Sequence, residues 1–444
     1  MENVFIDYRD KDTKNIRFSF EIILKINPME IIFIVSLQII FLKMKLHKNL
    51  VDAVIEGLLF IFNENQYADK VVEKLLKKDK RWGSKDRAFI AETIYDIVRW
   101  KRLYTEIAEV KFPYTTTTMR RVFAVWAVLR GILLPEWYFS DTPTRRIKGR
   151  FDELSKIRKY RESIPDWLDN LAIEELTESV WEKEIKELNS MASVVLRTNR
   201  LKISREELQT ILLSQGVETE TLTEYPDALQ LKTRSNIFLT PAFKEGLFEV
   251  QDASSQKVAP FLEVCAGMRI ADCCAGAGGK TLHLASLMEN KGQIIAMDIY
   301  QNKLNELKRR ARRNGAFNIE TKLIDSKHIK RLNGTFDRVL IDVPCSGLGV
   351  LRRNPDAKWK LKPEFLTEIR RTQQEILQNY SKMVKIGGKL VYATCSILPS
   401  ENRNQIDTFL SSFVGQNFKF VKEDNILASQ SGYDGFYMAQ LERI

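Results

Sequence analysis

The chain has 444 residues, more than one hydrophobic core usually organises, so we expect two or three domains. Its 44% hydrophobic and 29% charged residues are typical of a soluble globular protein. The five cysteines form no CxxC pair and the three histidines are scattered, which argues against a disulfide framework and a structural zinc site. We therefore predict no metal, reduced thiols and a cytoplasmic location.

The formal net charge of +11 favours a polyanionic partner, with nucleic acid first and an anionic membrane second. A merely basic soluble enzyme is the alternative. Residues 1–43 hold ten isoleucines, and their longest apolar run, 31–42, falls short of the roughly 20 residues of a membrane helix. No small-residue cleavage site follows that run. We expect a doubtful or loosely ordered extension here, with the true start at Met44 or Met29, and no membrane association.

Residues 44–150 show a helical pattern, because apolar residues recur at spacings of three and four. Basic clusters interrupt these helices at 77–87, 99–102 and 145–150. Such clusters are usually solvated faces. Trp82 and Trp100 stand among the charges, which raises the alternative of RNA contact.

Residues 151–250 read as a small α+β module. The segments 194–202 and 228–232 have a strand pattern, and between them 204–216 has a serine N-cap, acidic residues in its first turn and a terminal glycine, as a helix would. This module leads into the last predicted domain, residues 251–444.

Strand and helix patterns alternate from residue 251 onward. The predicted strands are 269–274, 292–299, 319–324, 336–341 and 389–396, with helices at 301–315 and near 364–384. This alternation predicts an α/β fold with a doubly wound, mostly parallel, Rossmann-like sheet. Ligands bind such sheets at the carboxyl ends of their strands.

The loop after the first of these strands reads CCAGAGGKT, residues 273–281. A phosphate-binding P-loop would need glycine at Cys274, and a dinucleotide fingerprint from Gly276 would need glycine at Thr281, so both motifs fail. What remains is a glycine turn at a helix N-terminus, which can receive a carboxylate or a phosphate.

Three aspartates follow three successive strands: Asp298, Asp325 and Asp342. They would repel a triphosphate, but they suit a cofactor with a ribose, an adenine amino group and a cationic centre, which describes S-adenosylmethionine. The alternative is that each aspartate only caps the turn that follows it.

Two cysteines, Cys345 and Cys395, also follow strands and lie in polar turns beside serines, where a thiol is reachable. Carbon 5 of cytosine is too weak a nucleophile to take a methyl group from a sulfonium. Addition of a thiolate at carbon 6 turns the ring into an enamine that can, which is covalent catalysis. Methylation of an amino group needs no thiol.

Five segments resemble, in order, the motifs of the Sun/RsmB family of RNA cytosine-C5 methyltransferases: FEVQDASSQ (248–256), CCAGAGGKTLHLA (273–285), DVPCSGLGVLRRNPDAKW (342–359), YATCSILPSEN (392–402) and DGFYMAQL (434–441). The resemblance covers roughly 160–444. Residues 44–150 are similar, more weakly, to the all-α NusB-like RNA-binding domain of bacterial members that act on small-subunit ribosomal RNA.

The resemblance implies a role for each matching residue. Cys395 would be the nucleophile, and Cys345 would help to release the product. The S-adenosylmethionine site would consist of Cys274, Ala275, Gly276, Ala277, Gly278, Gly279, Lys280, Asp298, Asp325 and Asp342. Asp342 would also reach the cytosine amino edge, and Arg352 and Arg353 would lie near the RNA backbone. Ala277 departs from the family, which usually has proline there, so the loop is expected to be less stiff.

The resulting prediction is an RNA 5-methylcytosine methyltransferase that acts as a monomer on ribosomal RNA. A transfer RNA substrate is the first alternative, since only the NusB-like region favours ribosomal RNA. A non-catalytic ribosome-assembly factor is the second, although the presence of both cysteines argues against it. DNA is disfavoured, because DNA enzymes of this type are expected to carry only the cysteine after the proline.

Overall fold

The computed structural model describes residues 46–444, apart from the side chains of Trp137, Ser326, Lys327 and His328. The predicted extension and both candidate start residues lie outside the described residues. Helices fill the first part of the described chain: α1 (Lys48–Asn63), α2 (Ala68–Lys78), α3 (Ser84–Arg99), α4 (Lys101–Ile107), α5 (Thr116–Leu129), α6 (Glu136–Phe139), α7 (Thr144–Leu154) and α8 (Arg158–Arg161). Ile90, Ile94 and Ile97 lie on one face of α3 and are fully buried, as their spacing predicts.

The basic clusters of this helical part divide between its interior and its surface. Trp82 is only 8% exposed and belongs to the helical core. The Arg87 guanidinium donates to the carbonyl oxygens of Leu76 and Trp82. Lys80, Lys85, Arg145 and Lys148 are exposed. The RNA-contact interpretation therefore loses Trp82 but keeps the exposed cations and Trp100, which is partly buried against the same core.

The second part combines helices with a small antiparallel sheet. Its elements are α9 (Asp166–Leu176), α10 (Glu178–Leu188), β1 (Val195–Thr198), α11 (Arg205–Ser214), β2 (Thr219–Thr221), β3 (Ala228–Leu231), α12 (Pro241–Lys244) and β4 (Phe248–Val250). The strand order is β2-β3-β1-β4. Ser204 caps α11, because its hydroxyl accepts from Glu207 N and Glu207 accepts from Ser204 N. These elements match the predicted α+β module, whose boundaries stay a prediction.

The third part is a seven-stranded sheet with helices on both faces. Its elements are α13 (Ala253–Gln256), α14 (Val258–Phe261), β5 (Arg269–Asp272), α15 (Gly279–Leu287), β6 (Gln293–Asp298), α16 (Gln301–Asn314), β7 (Ile319–Leu323), α17 (Ser326–Arg331), β8 (Phe336–Asp342), α18 (Ala357–Lys360), α19 (Pro363–Tyr380), β9 (Val384–Thr394), α20 (Arg403–Leu410), β10 (Phe418–Ile426), α21 (Ala428–Ser431) and β11 (Phe436–Arg443). The strand order is β10-β11-β9-β8-β5-β6-β7. Strands β5 to β9 pair in parallel and β11 runs antiparallel to both neighbours, so the predicted doubly wound, mostly parallel sheet is confirmed.

Two arginines join the second and third parts of the chain, and this bears on one prediction. Arg352 is 6% exposed and donates to the carbonyl oxygens of Gly432 at 2.6 Å and Met191 at 3.1 Å. Arg353 donates to the carboxylates of Asp434 at 2.6 Å and Asp252 at 2.7 Å. Most donors of these two side chains are used inside the protein, and the expectation that they lie near an RNA backbone stays a prediction.

Candidate active site

The glycine loop between β5 and α15 is fixed by its backbone and by Asp298. Gly278 has φ +88°, and a Cβ there would lie 2.5 Å from Cγ of Leu307 on α16, so only glycine fits. The Asp298 carboxylate, at the end of β6, accepts from the backbone N–H groups of Gly276 and Tyr300, each at 2.8 Å. The carboxylate predicted to bind a ribose thus also holds the loop, and its role toward a ribose stays a prediction.

A cavity of about 330 Å³ opens beside this loop at the carboxyl edge of the sheet. Seven predicted site residues line it: Cys274, Ala275, Gly276, Ala277, Gly279, Lys280 and Asp342. Four further residues line it that the sequence did not single out for the site: Gln251, Ser255, Asp272 and Lys303. Gly278, Asp298 and the exposed Asp325 are not among the lining residues.

Asp272, the last residue of β5, is an acid that sequence reasoning missed. It is 1% exposed and accepts a hydrogen bond of 2.7 Å from the Thr281 hydroxyl. Burial raises the pKa of Asp272 to about 7, and the nearby charge of Asp342 adds to this effect. Its Oδ1 atom is buried and has no hydrogen-bond partner among the described residues. The carboxyl group lines the cavity, although this oxygen is itself shielded from solvent.

Lys280 and Asp342 form an ion pair at the same edge. Lys280 lies in the first turn of α15. Its Nζ donates to Oδ2 of Asp342, at the end of β8, over 2.6 Å. Burial lowers the pKa of Lys280, but the charge and hydrogen bond of Asp342 outweigh it, so that the pKa lies above its ordinary value. The lysine is therefore held as a cation beside the cavity.

The two predicted cysteines lie side by side. Asp342 of β8 and Ala393 of β9 are paired in the parallel ladder, so the turns that follow both strands start at the same level. The Sγ atoms of Cys345 and Cys395 are 3.3 Å apart, and both residues are partly exposed. The hydrogen bond with Cys395 and burial raise the pKa of the Cys345 thiol well above its ordinary value. Burial does the same to the thiols of Cys273 and Cys274.

Gln251 and Ser255 reach the cavity from the segment before β5. The Gln251 amide donates to the Ser255 hydroxyl over 3.0 Å, and the buried Arg197 of β1 donates both to Gln251 and, over 2.6 Å, to the carbonyl of Gly279. The segment 248–256 carries one of the motifs of the resemblance, and that was the only signal for these two residues. Arg197 thus connects the α+β module to the glycine loop.

These residues fit S-adenosylmethionine. The loop offers backbone N–H groups at a helix N-terminus, and the cavity offers carboxylates for a cationic amine, including the unpartnered oxygen of Asp272. Within residues 46–444, no three His, Cys, Asp or Glu side chains form a cluster that could hold a metal ion. Over the same span, the helices are too short or too polar for one of them to cross a membrane.

Comparison with known proteins supports the same assignment. The model of the family described as 16S rRNA methyltransferase RsmB/F matches residues 259–442, and a model of the RsmF/B-like ferredoxin-like domain matches residues 164–238. The Ribosomal RNA small subunit methyltransferase B of Proteus mirabilis is 36% identical over 281 residues, which are 63% of this chain and 65% of that protein. The match thus spans just under two thirds of this relative's length.

Solved structures extend the likeness to the helical part. The crystal structure of PH0851 is similar with a TM-score of 0.77 and 25% identity, over 90% of this chain and 100% of that chain. A methyltransferase homologue from Pyrococcus horikoshii has a TM-score of 0.58 and 26% identity, over 65% of this chain and 98% of that chain. The Rossmann-like methyltransferase fold predicted from the sequence is confirmed.

Proposed function

The chain belongs to the RsmB/F family of methyltransferases, and we propose that it transfers a methyl group from S-adenosylmethionine to carbon 5 of a cytosine in RNA. We propose small-subunit ribosomal RNA as the substrate, a monomer as the acting form and the cytoplasm as its location. The observation that carries the proposal is the pair of thiols at 3.3 Å beside the Lys280–Asp342 ion pair. An amino-directed methyltransferase has no use for such a pair.

We assign the nucleophile to Cys395. Its thiolate would form a bond to carbon 6 of the cytosine, which makes carbon 5 electron-rich enough to accept a methyl group. S-adenosylmethionine supplies that group as an electrophilic methyl on a sulfonium. We assign Cys345 to the release step. In this step a base would take the carbon 5 hydrogen as a proton, the double bond between carbons 5 and 6 would re-form, and Cys395 would leave carbon 6 as a thiolate.

We assign Asp342 and Lys280 to binding the cytosine. The Asp342 carboxylate would accept from the cytosine amino edge, and the hydrogen bond from the Lys280 ammonium would hold that carboxylate in place. Glycine-loop backbone groups and Asp272 would hold the cofactor. The proposal thus assigns one part of the cavity lining to the cofactor and another to the cytosine, with the two thiols between them.

Two cysteine variants test the mechanism. Cys395→Ala should abolish methylation and covalent capture of RNA, whereas Cys345→Ala should still attack and accumulate a protein–RNA adduct on denaturing gels. The substrates are protein-free small-subunit ribosomal RNA, a partly assembled small subunit and total transfer RNA, with the modified base located by bisulfite sequencing. An adduct that needs Cys345 and survives loss of Cys395 would reverse the two roles. Methylation confined to transfer RNA would refute the ribosomal substrate.

A further inference from the structure

A buried glutamate joins the two turns that carry the cysteines. Glu401 is 0% exposed and lies seven residues after β9 ends. In each turn a serine follows the cysteine directly: Ser346 follows Cys345, and Ser396 follows Cys395. Both serines are buried, and their hydroxyl oxygens are 3.1 Å apart.

The Glu401 carboxylate is the common acceptor of both turns. Its Oε1 accepts from the Ser346 hydroxyl at 2.5 Å and from the Ser396 hydroxyl at 2.6 Å. Its Oε2 accepts from the backbone N–H of Ser346 at 2.8 Å and from the Gln373 amide at 3.1 Å. The Gln373 amide also donates to the carbonyl of Pro344, the residue before Cys345, at 3.0 Å. Each cysteine is thus the direct neighbour in sequence of a serine that donates a hydrogen bond to this carboxylate.

Because the Glu401 carboxylate is buried, its hydrogen bonds favour one relative position of the two cysteine turns. A carboxylate with no exposure is costly unless its lone pairs are satisfied, and here four donors satisfy them. The backbone of Glu401 is held as well, since its carbonyl accepts from the Tyr392 hydroxyl of β9 at 2.7 Å. A shift of either turn would therefore break at least one charge-assisted hydrogen bond.

We propose that Glu401 is a positioning residue that sets the separation of the Cys345 and Cys395 thiols. Its consequence for catalysis rests on the proposed function, because release needs Cys345 beside the base while Cys395 is still bonded to it. A displacement of about 1 Å can cost on the order of a hundredfold in rate. The thiol separation itself is a property of the fold and can be measured without RNA.

Phenylarsine oxide measures that separation directly. It condenses with two neighbouring thiols: two S–H bonds and the arsenic–oxygen bond are replaced by two arsenic–sulfur bonds, and one water leaves. Binding is measured in excess monothiol, so that only a pair of adjacent sulfurs retains the arsenical. Cys345→Ser and Cys395→Ser variants define the background, which includes Cys273 and Cys274.

We expect Glu401→Ala to weaken arsenical binding at least about tenfold, because the second sulfur loses its high effective concentration. The Ser346→Ala/Ser396→Ala double variant, which keeps the glutamate, should weaken it similarly. Glu401→Gln should lose only about threefold, since an amide can donate to a serine hydroxyl that turns to accept. This variant keeps the test open if Glu401→Ala fails to fold.

Glu184→Gln is the matched control. Glu184 is also 0% exposed and also accepts from backbone N–H groups, those of Ala428 at 2.7 Å and Ser429 at 2.9 Å, and neither of these donors belongs to a cysteine turn. It should lower thermal stability and leave arsenical binding unchanged. The positioning role would be overturned if the serine double variant and one Glu401 variant, either Glu401→Gln or Glu401→Ala, both bound the arsenical as tightly as the wild type.

The kinetic arm separates this inference from the proposed function. If the wild type methylates RNA, Glu401→Gln should lower kcat and raise the share of RNA held as covalent adduct. KM for RNA and for the cofactor should stay within about twofold of the wild-type values. If the wild type methylates no RNA but the arsenical pattern holds, the proposed function fails and the positioning role stands. If methylation is present and the arsenical pattern is absent, the positioning role fails alone.

Discussion

Two sets of buried and half-buried charged side chains in this protein have different uses. The site set consists of Asp272, Lys280 and Asp342 at the carboxyl edge of the large sheet. The junction set, where the three parts of the chain meet, consists of Arg99, Arg352, Arg353 and Lys358. Arg99 donates to the carbonyl of Arg352 at 2.8 Å, and the fully buried Lys358 donates to Asn189 at 3.0 Å, although burial lowers the pKa of Lys358 well below its ordinary value.

The difference lies in what remains available to a ligand. In the junction set, donors are directed at carbonyl oxygens and carboxylates of neighbouring segments, which makes them part of the packing. In the site set, one oxygen of Asp272 has no partner among the described residues, and the Lys280–Asp342 pair lines a cavity. An unpartnered buried atom does not identify a functional site by itself, since Nε of Arg352 in the junction set also has no partner among the described residues. What distinguishes the site set is that its three side chains line a cavity that a ligand can enter.

The largest expected effect is on the ion pair of the site set. Asp342→Asn keeps the shape of the side chain but leaves the buried Lys280 without its counterion and weakens the acceptor for the base. We expect kcat for RNA methylation to fall by about a thousandfold, with a smaller change in KM for the cofactor. Steady-state methylation with labelled cofactor measures both.

A double variant tests whether the pair acts as a unit. If it does, Lys280→Met combined with Asp342→Asn should be about as slow as either single variant, because residues in one ion pair have non-additive effects. Additive losses would show that each side chain acts separately, and the comparison between the two sets would then lose its basis.

A smaller effect is expected at Asp272 and depends on pH. Its pKa of about 7 means that the carboxyl is largely protonated below pH 7 and charged above. A cationic amine in the cavity favours the charged form, so cofactor binding should strengthen as pH rises through 7 and should release a proton. Asp272→Asn cannot charge, so at pH 8 it should bind about tenfold more weakly, and the difference should shrink toward pH 6.

Calorimetry with S-adenosylhomocysteine, which keeps the amino group, measures this prediction between about pH 6 and pH 8. Both proteins share any titration of the ligand, so the ratio of their affinities isolates Asp272. A ratio that does not change with pH would contradict both the raised pKa and the assignment of Asp272 to the amine.

The sequence predicted the parallel part of the sheet well, because most of β5 to β9 contain an apolar stretch and the segments between them include helices with a clear pattern. It missed β10 and β11 as strands. Four of the nine residues of β10 are charged (Lys419, Lys422, Glu423 and Asp424), which suits an edge strand with little burial. β11 is buried on both faces, and a continuous apolar run of this length is ambiguous without its partner strands.

The site was predictable where chemistry and strand ends coincide, as for Cys345, Cys395 and Asp342. Asp272 was missed because it was counted as part of a strand, and its burial depends on neighbours that the sequence does not show. Arg352 and Arg353 show the opposite limit of sequence reasoning. A pair of arginines after a motif looks the same whether the partners are phosphates or carbonyl oxygens, and only tertiary contacts decide.

The smallest effect on catalysis is expected from the junction set. Arg353→Met removes the cation between Asp252 and Asp434 but keeps the length of the side chain. Burial raises the pKa of Asp434 to about 6, as does the charge of Asp252, and Arg353 opposes both. The loss of the arginine should therefore raise that pKa further. We expect a stability loss of about 3 kcal/mol near pH 8.

The sign of its pH dependence identifies the cause. A carboxyl whose pKa is raised on folding stabilises the fold while it is protonated, and this contribution disappears as pH rises through the folded pKa. In the wild type that loss is complete above pH 6, whereas in Arg353→Met it should continue to higher pH. The free energies of unfolding of the two proteins, measured by chemical unfolding, should therefore differ less at pH 5 than at pH 8. Methylation per folded molecule should stay within about twofold. A hundredfold loss of kcat at full stability would place Arg353 with the site set instead, because side chains that only join segments act on the amount of folded protein.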